Sequence, residues 1–84
     1  MMVISSPNPA DQFIQMEYEL LFSKENTEMR VYDQLGRLVT SYTIGVNTQG
    51  VEVLDTRKLS PGVYIVEMVQ NGNQIVSNKF VVQH

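Results

Sequence analysis

The stretch Val63-Tyr64-Ile65-Val66-Glu67-Met68-Val69-Gln70-Asn71-Gly72-Asn73-Gln74-Ile75-Val76-Ser77-Asn78-Lys79-Phe80-Val81-Val82 decides the fold. Two runs rich in β-branched and aromatic residues flank Asn71-Gly72, a pair that tolerates positive φ at both positions and so suits a two-residue hairpin loop. The loop can be Asn71-Gly72 or Gly72-Asn73, and both choices give the same faces because directly opposed residues point the same way. Val63, Ile65, Glu67, Val69, Val76, Asn78, Phe80 and Val82 fall on one side. Tyr64, Val66, Met68, Ile75, Ser77, Lys79 and Val81 fall on the other. Both sides are then mostly apolar, so the second is expected to be covered by loops of the same chain or to be available to a partner.

Upstream of this pair, Ser60-Pro61-Gly62-Val63 reads as a type II turn, with Pro setting φ at the second position and Gly supplying positive φ at the third. Asp33-Gln34-Leu35-Gly36 reads as a type I turn closed by a G1 bulge, its Asp capping the amides of its own turn. Between these punctuation points the side chains alternate with period two, the mark of half-buried strands. From Phe13 to Leu20, Ile14, Met16, Tyr18 and Leu20 share one face and Gln15, Glu17 and Glu19 the other. In Glu28 to Asp33, Met29 and Val31 oppose Glu28, Arg30 and Tyr32. Leu38 to Ile44 is rich in Val, Thr and Tyr, and Val51 to Asp55 alternates with Glu52 on its own side. With a short strand at Val3 to Ser5 the count is seven, and no segment sustains a 3.6-residue period. The expected fold is all-β: a seven-stranded antiparallel immunoglobulin-like β-sandwich.

An 84-residue chain fits a single domain over residues 1–84 with a small core. Nine acidic against six basic residues give a net charge of -3, which argues against sequence-independent binding to nucleic acid. The absence of cysteine removes disulfide frameworks, thiolate zinc sites and thiol nucleophiles together. No apolar run reaches the ~18 residues that span a bilayer, and no signal peptide opens the chain. The expectation is a fragment of a longer protein, with no membrane insertion of its own.

Catalytic chemistry finds no support in the residue pattern. His84 is the only histidine and stands at the last position, where a solvated end is expected, so no nucleophile has a base beside it. Glu17 and Glu19 share a strand face, but a working carboxylate pair needs a pocket that separates their pKa values, and an alternating strand supplies only a wet face. No DxDxDG loop or glycine-rich phosphate loop is present. Tyr18, Tyr32, Tyr42 and Tyr64 are expected to pack in the core and across strands. The expectation is a non-enzyme without cofactor or metal.

Four motifs in order carry a resemblance: Pro7-Asn8-Pro9, then Val31 to Val39 with Asp33, Gly36 and Val39 as DxxGxxV, then Leu59, Gly62 and Tyr64 as LxxGxY, then Lys79-Phe80-Val81-Val82. Together they span nearly the whole chain, which resembles the type A C-terminal sorting domain of the type IX (Por) secretion system. The resemblance implies a domain carried at the C-terminus of a secreted Bacteroidetes protein behind an N-terminal cargo domain. It further implies a signal that is recognised in the periplasm, directs the cargo through the outer-membrane translocon to the cell surface or medium, and is commonly removed by a surface sortase. Its export signal is expected in the terminal segment, so Lys79, Phe80, Val81 and Val82 are the expected translocon-recognition residues.

Turn chemistry alone accounts for Gly36, Pro61 and Gly62. The rival reading is an immunoglobulin-like or fibronectin-like spacer or carbohydrate-binding module using Tyr32 or Tyr42. A homo-oligomeric adhesion domain pairing through the edge of the last strand is a third.

Overall fold

The computed structural model describes residues 1–20 and 26–84. Among these, seven strands form: β1 (Met2–Ser6), β2 (Phe13–Glu19), β3 (Thr27–Asp33), β4 (Leu38–Gly45), β5 (Gln49–Asp55), β6 (Gly62–Gln70) and β7 (Asn73–Val82). They lie in two antiparallel sheets ordered β1-β2-β5 and β4-β3-β6-β7. The inner faces of the two sheets share one apolar core, and β1 runs alongside β7.

The alternation read from sequence decides which side chains enter that core. In β2, Ile14, Met16 and Tyr18 are buried while Gln15, Glu17 and Glu19 are exposed. Met29 and Val31 of β3 are fully buried. They face Val66 and Met68, which pair with them directly from β6. The turn at Asp33 to Gly36 forms as expected: Gly36 has φ +83°, its N–H donates to the Asp33 carbonyl at 3.0 Å, and the Asp33 N–H donates to the Arg37 carbonyl at 2.9 Å. A register shift follows between Val31 and Tyr32.

The terminal hairpin differs from its sequence reading. Its loop is Asn71-Gly72, with φ of 51° and 76°, and Gln70 pairs with Asn73 and Val69 with Gln74. Met68, however, pairs with Val76. Ile75 is thus an extra residue in β7, a β-bulge, and one extra residue exchanges the two faces of everything beyond it. Phe80 therefore lies opposite Tyr64, not Val63. The core face carries Tyr64, Val66, Met68, Val76, Asn78, Phe80 and Val82, whereas Val63, Ile65, Glu67, Ser77, Lys79 and Val81 face outward. With the bulge in place the hairpin has one apolar face and one mixed face. The doubly apolar strand pair expected from the sequence does not exist.

The type II turn at Ser60 to Val63 is also replaced. Gly62 is already the first ladder residue of β6, paired with Val82, and takes φ +155° where a type II turn needs about +80°. The chain reverses earlier, at Thr56 to Leu59, where the Leu59 N–H donates to the Thr56 carbonyl at 3.1 Å.

β5 alternates as read, but its register inverts the usual sides. Pairing with β2 sets Glu52 opposite Met16 and Leu54 opposite Ile14, so Glu52 faces inward and Val51 and Val53 lie on the outer face, each at least half exposed. Gly50 pairs with Tyr18, whose phenol lies across it. A Cβ at position 50 would sit 2.6 Å from the Tyr18 hydroxyl and 2.9 Å from its Cζ. Because Tyr18 is itself buried, its ring has little room to give. Gly50→Ala should destabilise the fold by about 1–3 kcal/mol, read as a lower urea midpoint, and Tyr18→Leu in the same chain should relieve much of that loss.

Candidate functional site

All four motifs meet at one end of a molecule 39 Å long. The strands deliver them there: β1, β3 and β7 end at this end, while β2, β4 and β6 begin there.

The first motif forms a strap on the end of β7. The Ser6-Pro7 and Asn8-Pro9 peptide bonds are cis. The Asn8 side-chain carbonyl accepts the Val81 N–H at 2.9 Å. The Ala10 N–H then donates to the Val81 carbonyl at 2.7 Å, and the Gln83 N–H donates to the Ala10 carbonyl at 2.8 Å. Residues 73 apart in sequence thus satisfy an edge that would otherwise present unpaired backbone groups. Ala10 is fully buried beside Val82, with which it forms a parallel bridge. Strand-edge pairing by a second copy, the third reading above, finds this part of the edge already occupied.

His84 is exposed, as its position suggested, but its ring is held at both nitrogens. One ring nitrogen, Nδ1, lies 2.8 Å from Asp11 Oδ1, and the other, Nε2, lies 2.9 Å from the Leu59 carbonyl oxygen. Both acceptors call for an N–H, so the ring serves best as an imidazolium. The Asp11 contact, followed by the Leu59 carbonyl, holds the His84 pKa above its ordinary 6.5. A raised folded pKa means the clasp contributes fully below pH 6.5 and is lost as pH rises through the folded value. The expected result is a thermal midpoint that declines as pH rises above 6.5, with Asp11→Asn flattening the slope and moving the His84 ring titration, followed by NMR, back toward 6.5.

The second and third motifs face each other. Asp33 Oδ1 accepts the Leu35 and Arg37 N–H groups, both at 2.9 Å, and Oδ2 accepts the Arg37 Nε–H at 2.9 Å. The Arg37 backbone amide foremost holds the Asp33 carboxyl below its usual range. Across from this turn, the Tyr64 hydroxyl donates to the Ser60 carbonyl at 2.7 Å. This ties the start of β6 to the loop before it, the geometry of a tyrosine corner. The Tyr64 ring stacks on Phe80, with centroids 5.6 Å apart and planes 16° apart. A cleft of about 270 Å3 opens between the two turns.

Each motif residue now has a place. Asp33 and Gly36 make the turn, Val39 and Leu59 pack partly buried against the core, and Tyr64 pins the third motif. Of the terminal four, Phe80 and Val82 are in the core, and Lys79 and Val81 are exposed on the outer sheet face. There Lys79 pairs with Ile65, and Val81 with Val63. Tyr18 and Tyr64 are core residues as expected, and Tyr42 packs against the core half-buried. Tyr32 lies on the outer face, where its hydroxyl supports Arg30. Sequence reading missed Thr56, a fully buried hydroxyl that donates to the Asp11 carbonyl at 3.1 Å. It also missed the Asn8 and His84 contacts. An amide between two prolines signals a fixed side chain, but nothing local names a partner 73 residues away.

Among the described residues no group of His, Cys, Asp and Glu is arranged to hold a metal ion. No helix among them is long and apolar enough to cross a membrane.

No curated protein matches the chain. Among solved structures it is similar to Pseudomonas fluorescens alkylpurine DNA glycosylase AlkC bound to DNA containing an abasic site analogue, with a TM-score of 0.56 and 14% sequence identity. That match covers 99% of this chain and 29% of the glycosylase chain. At such identity the likeness is one of fold alone. The family of secretion system C-terminal sorting domains matches over residues 6–83, from the strap to the residue before His84, and the chain belongs to that family.

Proposed function

We propose that the chain acts as a folded address whose outer sheet face at the terminal hairpin is what the export machinery reads. That it is a sorting signal for type IX secretion follows from the family. The single observation that carries the finer reading is the split within the terminal segment. Phe80 and Val82 are consumed by the core, while Lys79 and Val81 stand exposed beside Val63 and the half-buried Ile65. A cation set among apolar side chains on a flat sheet face is suited to a specific protein contact.

In this reading the partners are translocon and sortase components, the cargo domain precedes the chain, and the route runs through the periplasm to the cell surface or medium, where the sortase removes the address. In this reading the chain itself performs no catalysis and needs no cofactor. The finer fold reading is an immunoglobulin-like sandwich. It is supported by the three-plus-four strand order, with β1-β2-β5 against β4-β3-β6-β7, and by the tyrosine corner at the start of β6.

The test is a reporter enzyme with its own inner-membrane signal peptide, followed by this chain, in a host carrying the type IX machinery. Reporter in the medium or on the cell surface is the expected result. Retention in the periplasm, with the fusion intact and folded, would overturn it. Deleting residues 79–84 is a poor test, because the deletion also removes Phe80 and Val82 from the core.

A further inference from the structure

Among the described residues, the cleft between the Asp33 turn and the loop from Lys58 to Gly62 holds one exposed cation outside any ion pair, Lys58. The protein carries a net charge of -3. At the motif end, however, each aspartate is matched: Asp33 by Arg37 at 2.9 Å, Asp55 by Arg57 at 2.7 Å and Asp11 by His84 at 2.8 Å. Lys58 makes no ion pair among the described residues, although it stands near enough to Asp55 to help hold that carboxyl's pKa down. Lys58 lines the cleft and is exposed. The rest of the lining is mixed: Leu35, 74% exposed at the tip of its turn, Val39, Leu59 and Val63 are apolar, while Gln34, Ser60 and the Asp33–Arg37 pair are polar. Gly62 presents no side chain to the cleft, and even a Cβ there would reach only to 3.8 Å from Gln34.

The cleft volume of about 270 Å3 falls just below the ~300–1,000 Å3 of small-molecule sites, which suits one or two side chains and not a cofactor. We propose that this cleft is a docking subsite for an acidic extended polypeptide segment, one carboxylate meeting Lys58 while the neighbouring apolar side chain lies against Leu59 and Val63. A free phosphate or other small anion could use the lysine but not the apolar walls. The combination therefore selects a peptide. The inference rests on the reading of the chain as a sorting signal, to which it adds a second contact that adjoins the Lys79 face at Val63.

The test uses the 84-residue chain and an acetylated, amidated peptide of alternating Glu and Leu, followed by amide chemical shifts. Perturbations should concentrate at Leu35 to Arg37 and Lys58 to Val63, and the affinity should fall as salt is raised. Lys58→Glu should weaken binding about tenfold, since it replaces attraction with like-charge repulsion at a surface site that barely affects folding. Leu35→Ser should weaken it as well, and inorganic phosphate, which can meet only the lysine, should leave the Leu35 to Arg37 amides unmoved. Perturbations centred elsewhere, equal binding by Lys58→Glu, or phosphate reproducing the peptide's shifts would each overturn the proposal. Binding is scored on the chain alone, so its failure leaves the secretion reading standing. A reporter fusion held in the periplasm would overturn that reading and leave the cleft result intact.

Discussion

Phe80→Ala should unfold much of the population at physiological temperature and abolish export with it, although the Phe80 side chain never reaches the surface. Phe80 is fully buried and stacks on Tyr64. The Tyr64 hydroxyl in turn fixes the loop before β6. Truncating a buried phenylalanine costs about 3–5 kcal/mol, set against the ~5–10 kcal/mol that holds a domain of this size together. The thermal midpoint should fall by upwards of about 12 °C. Val81→Ala, one position along and exposed on the opposite face, should shift it by no more than about 4 °C. The contrast depends on the bulge at Ile75. Without it the two neighbours would exchange faces, and Val81→Ala would be the damaging substitution.

Lys79→Glu should have the converse effect: an intact fold and a lost signal. Lys79 is exposed, pairs with Ile65 and makes no ion pair among the described residues. Its reversal should move the thermal midpoint by less than about 4 °C. If the machinery reads this face, a reversed charge at the contact should lower the exported fraction of a fused reporter by about tenfold or more. Lys79→Arg, which keeps the charge, should retain most of it. Export of Lys79→Glu at the wild-type level would remove the outer hairpin face from consideration.

The strands were legible because their cues are local. Alternation in Phe13 to Glu19, the Asp33 to Gly36 turn and the Asn71-Gly72 loop each rest on a few adjacent residues, and the structure has all three. The faces of the last hairpin were not legible. The bulge at Ile75 depends on how β6 meets the rest of the sheet, and an extra residue leaves no mark in a run such as Gln74-Ile75-Val76. The inward turn of Glu52 escaped for a related reason, since only the register against β2 tells which side of β5 is wet. The gathering of the motifs at one end was carried by resemblance as an order of motifs, without its geometry. The Asn8 to Val81 and His84 to Asp11 contacts join the two ends of the chain, and no local rule pairs residues so far apart.

The most direct test of a folded address is the exported fraction of one reporter fusion in one host, measured for the unsubstituted chain, Lys79→Glu and Phe80→Ala, with the melting of each recorded alongside. The folded-surface account predicts that both variants lose export, the first while fully folded and the second because it is not. A Phe80→Ala chain that melts early yet is exported as efficiently as the unsubstituted one would contradict it, because the machinery would then be reading the linear sequence and not the sandwich.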